Sequence, residues 1–147
     1  MNKQEHLYHF TSLINFHQIM QTKHISLTTS NFDLANLGLF PVVWLTDSYE
    51  PDNMGLLFDP NIPDEFNKTY IRITVMKQPY MKLWDKWSDE KDMDKKLKEV
   101  LIKSASADET YKTWYVSERP ITFDDILLIE NIKEYEEDIY YEHGDDL

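Results

Sequence analysis

The sequence predicts an α+β fold in a single domain spanning 1–147. Three observations predict it. Short runs rich in β-branched and aromatic residues recur along the chain, two segments carry apolar residues at helical spacing, and 147 residues are enough to bury one core. Hydrophobic residues make up 41% and aromatic residues 14%, too apolar a composition for a disordered chain despite its charge.

The first strand is read at "HLYHFT" (6–11). A helix follows at once, with Ser12 as its N-cap and Leu13, Phe16 and Met20 on one face beside Ile19. "HISLT" (24–28) and "VVWLTD" (42–47) read as the next strands. From 48 to 68 the Pro, Asn, Asp and Gly content signals a long loop, either functional or a surface excursion. "TYIRITV" (69–75) returns to strand. A second helix is expected over Ser88–Ala105, with Asp89 and Glu90 near its start and Met93, Leu97, Val100 and Leu101 on its apolar face. Lys95, Lys96 and Lys98 lie mostly off that stripe and read as solvated. "TWYVSE" (113–118), stopped by Pro120, and "ILLIENI" (126–132) complete six strands. The end, 133–147, is an acidic tail or a last strand anchored by Tyr135, Tyr140 and Tyr141.

Composition removes several chemistries. Without cysteine there is no disulfide, no zinc–thiolate site and no thiol nucleophile. No apolar run approaches the ~20 residues of a membrane span, and the start lacks signal-peptide order, so a soluble cytoplasmic protein is expected. A net charge of −12 disfavours direct nucleic-acid binding. Walker, GxGxxG and HExxH motifs are absent, and three glycines leave little for a phosphate-cradling loop. His9 and His17 have no carboxylate at ligand spacing, so no structural metal is expected.

Strand alternation selects the candidate site residues. Leu7, His9 and Thr11 share one face of the first strand, with His6, Tyr8 and Phe10 on the other. If Tyr8 and Phe10 meet the first helix, His9 and Thr11 face a second layer or a cleft. Val42, Trp44 and Thr46 share a face, and Trp44 is either a stacking surface for a heteroaromatic ring or a core residue. Glu118 shares a face with Trp114 and Val116, where a carboxylate is either used or paired at the rim with a basic neighbour. Arg72, one of two arginines, lies with Tyr70 and Thr74 and could hold a phosphate or form an ion pair.

In order, "LYHFTSLINFHQIMQTKHISLT", "VVWLTDS" and "TWYVSERPITFDDILLIE" resemble small bacterial and phage proteins of the ADP-ribosyltransferase-like fold, with its "YHxT", "xVWLT" and "WxVSxxPI" segments. The likeness covers the first 50 residues and 113–130. It implies a split β-sandwich of two small, mostly antiparallel sheets with two packed helices, and NAD as substrate in the cleft between them. By position it implies His9 at the adenine-side ribose, Thr11 beside the nicotinamide half and Glu118 as the catalytic carboxylate. The family's stacking tyrosine is missing from "VVWLTD", so Trp44 or Tyr49 must serve; Thr46 and Arg72 complete the NAD-binding candidates. The implied activity is transfer of ADP-ribose from NAD to a macromolecular acceptor, a protein above all. Two alternatives stand beside it: an inactive binder of NAD or ADP-ribose, and an acidic inhibitor that occupies the nucleic-acid groove of a partner.

Overall fold

The computed structural model describes residues 6–27, 41–49, 61–103, 110–133 and 138–143. Along the chain run β1 (His6–Thr11), α1 (Leu13–Thr22), β2 (His24–Ile25), β3 (Val43–Thr46), β4 (Ile71–Met76), β5 (Met81–Leu83), α2 (Trp84–Glu90), α3 (Lys95–Lys103), β6 (Trp114–Ser117), β7 (Ile121–Thr122), β8 (Ile126–Asn131) and β9 (Asp138–Glu142). The class is α+β. Among the described residues seven strands form one antiparallel sheet in the order β5-β6-β3-β1-β4-β8-β9, and β2 pairs with β7 in a two-stranded sheet. The part of the acidic end within the described residues is a strand, β9; positions 134–137 and 144–147 lie outside them, as do 50–60 of the expected long loop.

Local chemistry explains the elements around β1. The Ser12 side chain accepts the Asn15 N–H at 3.2 Å and caps α1, and Lys23, at φ 66°, ends it by turning its N–H back to the Ile19 carbonyl. Phe16 and Ile19 then bury against Leu7, Ile73, Val75 and Ile129. It is therefore the Leu7 face of β1 that meets α1, and Tyr8 and Phe10 belong to the opposite face.

The second helix differs from the expectation of one segment over Ser88–Ala105. Two helices occupy the region, starting earlier, at Trp84, and separated by Asp92 at φ 54°. Asp94 restarts the helix, its carboxylate accepting the Leu97 N–H at 3.1 Å, while Ser88 sits inside α2 and donates to the Asp85 carbonyl. A second cluster forms here: Trp84, Trp87, Leu101, Trp114, Val116 and Val42, with Trp44 and Leu97 packed on it. The sheet thus has an aliphatic layer under α1 and a tryptophan layer under α2 and α3. Burial of each large side chain stabilises by about 1.5–3 kcal/mol.

The two seams of β1 are unequal. With β4 it pairs at every residue, from His6↔Met76 to Thr11↔Ile71; with β3 it pairs only at Tyr8↔Thr46. Beyond that pair β3 follows β6 through Val43↔Ser117, so it is the pairing of β1 with β3 that parts toward Thr11 and Val43, the two remaining neighbours in the sheet. No helix among the described residues is long and apolar enough to cross a membrane.

Candidate functional site

The parted seam is where His9 sits. A ladder continued past Tyr8↔Thr46 would offer the Trp44 carbonyl to a backbone N–H of β1; here the His9 side chain takes that place, with Nδ1 at 2.8 Å from the carbonyl oxygen. A carbonyl only accepts, so Nδ1 carries the proton and Nε2 of the neutral ring is left as an acceptor. Burial holds His9 below its ordinary value of 6.5; the Trp44 carbonyl works against this, and the charge of Lys68 adds to it. His9 is therefore a neutral, oriented imidazole at neutral pH. Thr11, at the open end of the same seam, is buried.

Trp44 carries its ring onto the tryptophan layer, 6.1 Å from Trp84 and 5.9 Å from Trp114, the latter edge-on. It remains partly exposed. Glu118 follows β6 at the end where Ser117 pairs with Val43, and hence at the end of β3 where the seam is open. Its carboxylate meets Lys91 Nζ at 3.1 Å, and its side chain is 40% exposed. The Lys91 hydrogen bond holds Glu118 below the usual carboxylate value; partial burial opposes this, and the Trp87 indole adds a smaller lowering. Of the two readings open for Glu118, the structure shows the geometry of a rim carboxylate with a basic neighbour. His9 meets the Trp44 backbone through its ring, the Trp44 side chain packs on the aromatic cluster that includes Trp87, and Glu118 is held by Lys91.

Thr46, Tyr49 and Arg72 gather on the face of the sheet that carries Tyr8, the face Trp44 shares with Thr46, whereas His9 shares the opposite face with Leu7. Thr46 is fully buried, and its hydroxyl donates to Thr113 Oγ1 and accepts the Ser48 N–H. Arg72 is 7% exposed and heavily engaged. Its Nε and Nη2 both donate to Glu130 Oε1, Nη1 donates to the Tyr49 carbonyl, and the Tyr49 ring lies 3.5 Å from the guanidinium carbon. Tyr8 meets Tyr49 edge-on at 5.2 Å. Burial raises the Tyr8 phenol above its ordinary value, with the Tyr49 and Glu130 charges adding to it and Arg72 opposing. This cluster positions the start of the segment after β3, and it engages the groups of Arg72 that a phosphate would need.

Three partners were missed from sequence: Glu130, Lys91 and Lys68. Glu130 had a signal, because "YIRITV" and "ILLIENI" each carry one charged residue in an apolar strand, and neighbouring strands match such charges. Lys91 had none, since nothing local brings the turn after α2 to the end of β6. Among the described residues no group of three or more His, Asp or Glu converges as a metal site. Comparison of the chain with protein-family models, with curated proteins and with solved structures finds no match.

Proposed function

We propose that the chain is an ADP-ribosyltransferase-like domain that takes NAD as substrate and transfers ADP-ribose to a macromolecular acceptor, a protein in the first instance. The observation that carries the reading is the parted β1/β3 seam, with a neutral His9 fixed in it by the Trp44 carbonyl. The seven-stranded sheet is continuous, and a division at its single Tyr8↔Thr46 pair would give β5-β6-β3 and β1-β4-β8-β9, the two small sheets the resemblance implies. Glu118 stands at the open end of the division.

In this reading His9 Nε2 accepts from a ribose hydroxyl and the exposed part of Trp44 stacks on the nicotinamide. The bond from ribose C1′ to the nicotinamide nitrogen breaks, and nicotinamide leaves with the electron pair. Glu118, ionised through Lys91, stabilises the positive charge on the sugar, and the acceptor nucleophile bonds to C1′ while its proton passes to a carboxylate or to water. The Lys91 pair also favours a second reading, an NAD binder without turnover, because a carboxylate held by lysine is less free to reach a ribose.

Incubation of the purified protein with labelled NAD, with and without a bacterial lysate, separates the two. Transfer predicts nicotinamide release and label on protein, both lost in Glu118→Gln. Binding without turnover predicts saturable NAD binding weakened by His9→Ala and no release. Absence of binding by the folded protein overturns both.

A further inference from the structure

β9 ends the large sheet and pairs only with β8, so among the described residues its outer backbone edge has no strand partner. Such an edge invites another strand, and proteins that leave one open usually guard it with lysine, proline or a cover. Here the guard is acidic. From 134 to 147 the sequence holds seven acidic residues and no lysine or arginine. Within β9, Asp138 and Glu142 are exposed, and Ile139 and Tyr140 are 58% and 37% exposed.

The register fixes what a strand added to this edge would meet. Glu130 pairs with Ile139 and Leu128 with Glu142, the irregularity in β9 placing Ile139 and Glu142 on one face; Asp138, opposite Asn131, lies on the other with Tyr141. Tyr141 is packed on Phe123 at 4.9 Å and Tyr140 on Phe16 at 4.9 Å, and Tyr140 also accepts from Asn131 Nδ2, so the edge is anchored to the sheet and to α1. Pairing of β9 with β9 of a second copy would bring carboxylates against carboxylates, which repels.

We infer that β9 is a docking edge for an extended basic segment of another protein, which adds as a strand beside it. One face of that segment presents an apolar residue to Ile139 and a lysine or arginine to Glu142; the other presents a basic residue to Asp138. Backbone hydrogen bonds supply the affinity and the alternate side chains the selectivity. This inference stands independently of the NAD reading.

The test titrates the full chain with a short extended peptide that holds valine opposite Ile139 and lysine opposite Asp138 and Glu142, beside its glutamate counterpart and a version N-methylated at alternate backbone nitrogens. Binding is expected for the unmodified lysine peptide alone, weakening about tenfold or more in Asp138→Lys/Glu142→Lys, whose folding is checked by its denaturation midpoint. The N-methylated peptide is read on the unaltered protein, so that arm survives even if the variant misfolds. Equal binding of the N-methylated and unmodified peptides would reduce the contact to unspecific charge attraction and overturn the proposal. So would absence of binding at low salt, or a concentration-dependent dimer through β9 that excludes the peptide.

Discussion

The two edges of β1 solve the same problem in opposite ways. Toward β4 every residue is in register, and the backbone satisfies itself. Toward β3 one pair, Tyr8↔Thr46, holds the strands, and a side chain, His9, takes over at Trp44. A closed seam offers a ligand nothing, since its polar groups are spent on one another. A parted seam bridged by an imidazole leaves a second ring nitrogen to bind with. The difference locates a candidate site without any bound molecule to mark it.

The comparison breaks hardest on the closed side. Arg72 on β4 and Glu130 on β8 face each other, with side chains 8% and 15% exposed. Arg72→Met strands a buried carboxylate and removes the cover of Tyr49, at an expected loss of about 3–5 kcal/mol in denaturant unfolding. Arg72→Met/Glu130→Leu recovers most of that loss, because the destabilisation comes from the unpaired charge and not from missing volume. If the double variant is as unstable as the single, the pair is doing more than neutralising itself, and the Tyr49 anchor becomes the larger contribution.

His9→Gln tests the parted side, where a smaller cost of about 1 kcal/mol is expected for one hydrogen bond. The pH dependence is more telling than the size. Burial depresses His9 in the folded protein below its ordinary 6.5, so between the two values the unfolded chain binds more protons. Stability therefore rises with pH through that window, and it falls as pH drops below about 6.5. Unfolding midpoints measured across mildly acidic pH should show this slope in the native protein and a flatter one in His9→Gln.

How far these features were legible in the sequence depends on their range. α1 was legible because Ser12 and the spacing of Phe16 and Ile19 act within a few residues. The break between α2 and α3 was written in Asp92 and Asp94, but the apolar stripe continues across it and hides it. β2 forms the start of the strand read at 24–28, whereas β5 and β7, of three and two residues, are too short to show a period. The site divides likewise. Alternation gave the faces of His9, Trp44 and Glu118, while the parting of β1 from β3 and the approach of Lys91 to Glu118 are long-range and leave no local trace. The expectation that Arg72 either holds a phosphate or forms an ion pair was limited for the same reason, since Glu130 lies 58 positions away.

The smallest expected effect concerns the ion pair that both functional readings share. Lys91 and Glu118 are 34% and 40% exposed, so Lys91→Gln should change stability by less than about 1 kcal/mol. Its consequence is on the carboxylate. With the largest lowering influence gone, Glu118 returns toward its ordinary 4.5. If Glu118 acts ionised, the acid limb of nicotinamide release moves to higher pH in Lys91→Gln while release near neutrality persists or rises, because the carboxylate is freed to reach the sugar. If the pair is only a surface contact beside a binding cleft, NAD affinity and its pH dependence stay as they are in the native protein. The two outcomes place Glu118 on opposite sides of the comparison: with His9 as part of the parted seam, or with Glu130 as a group whose bonding is already spent.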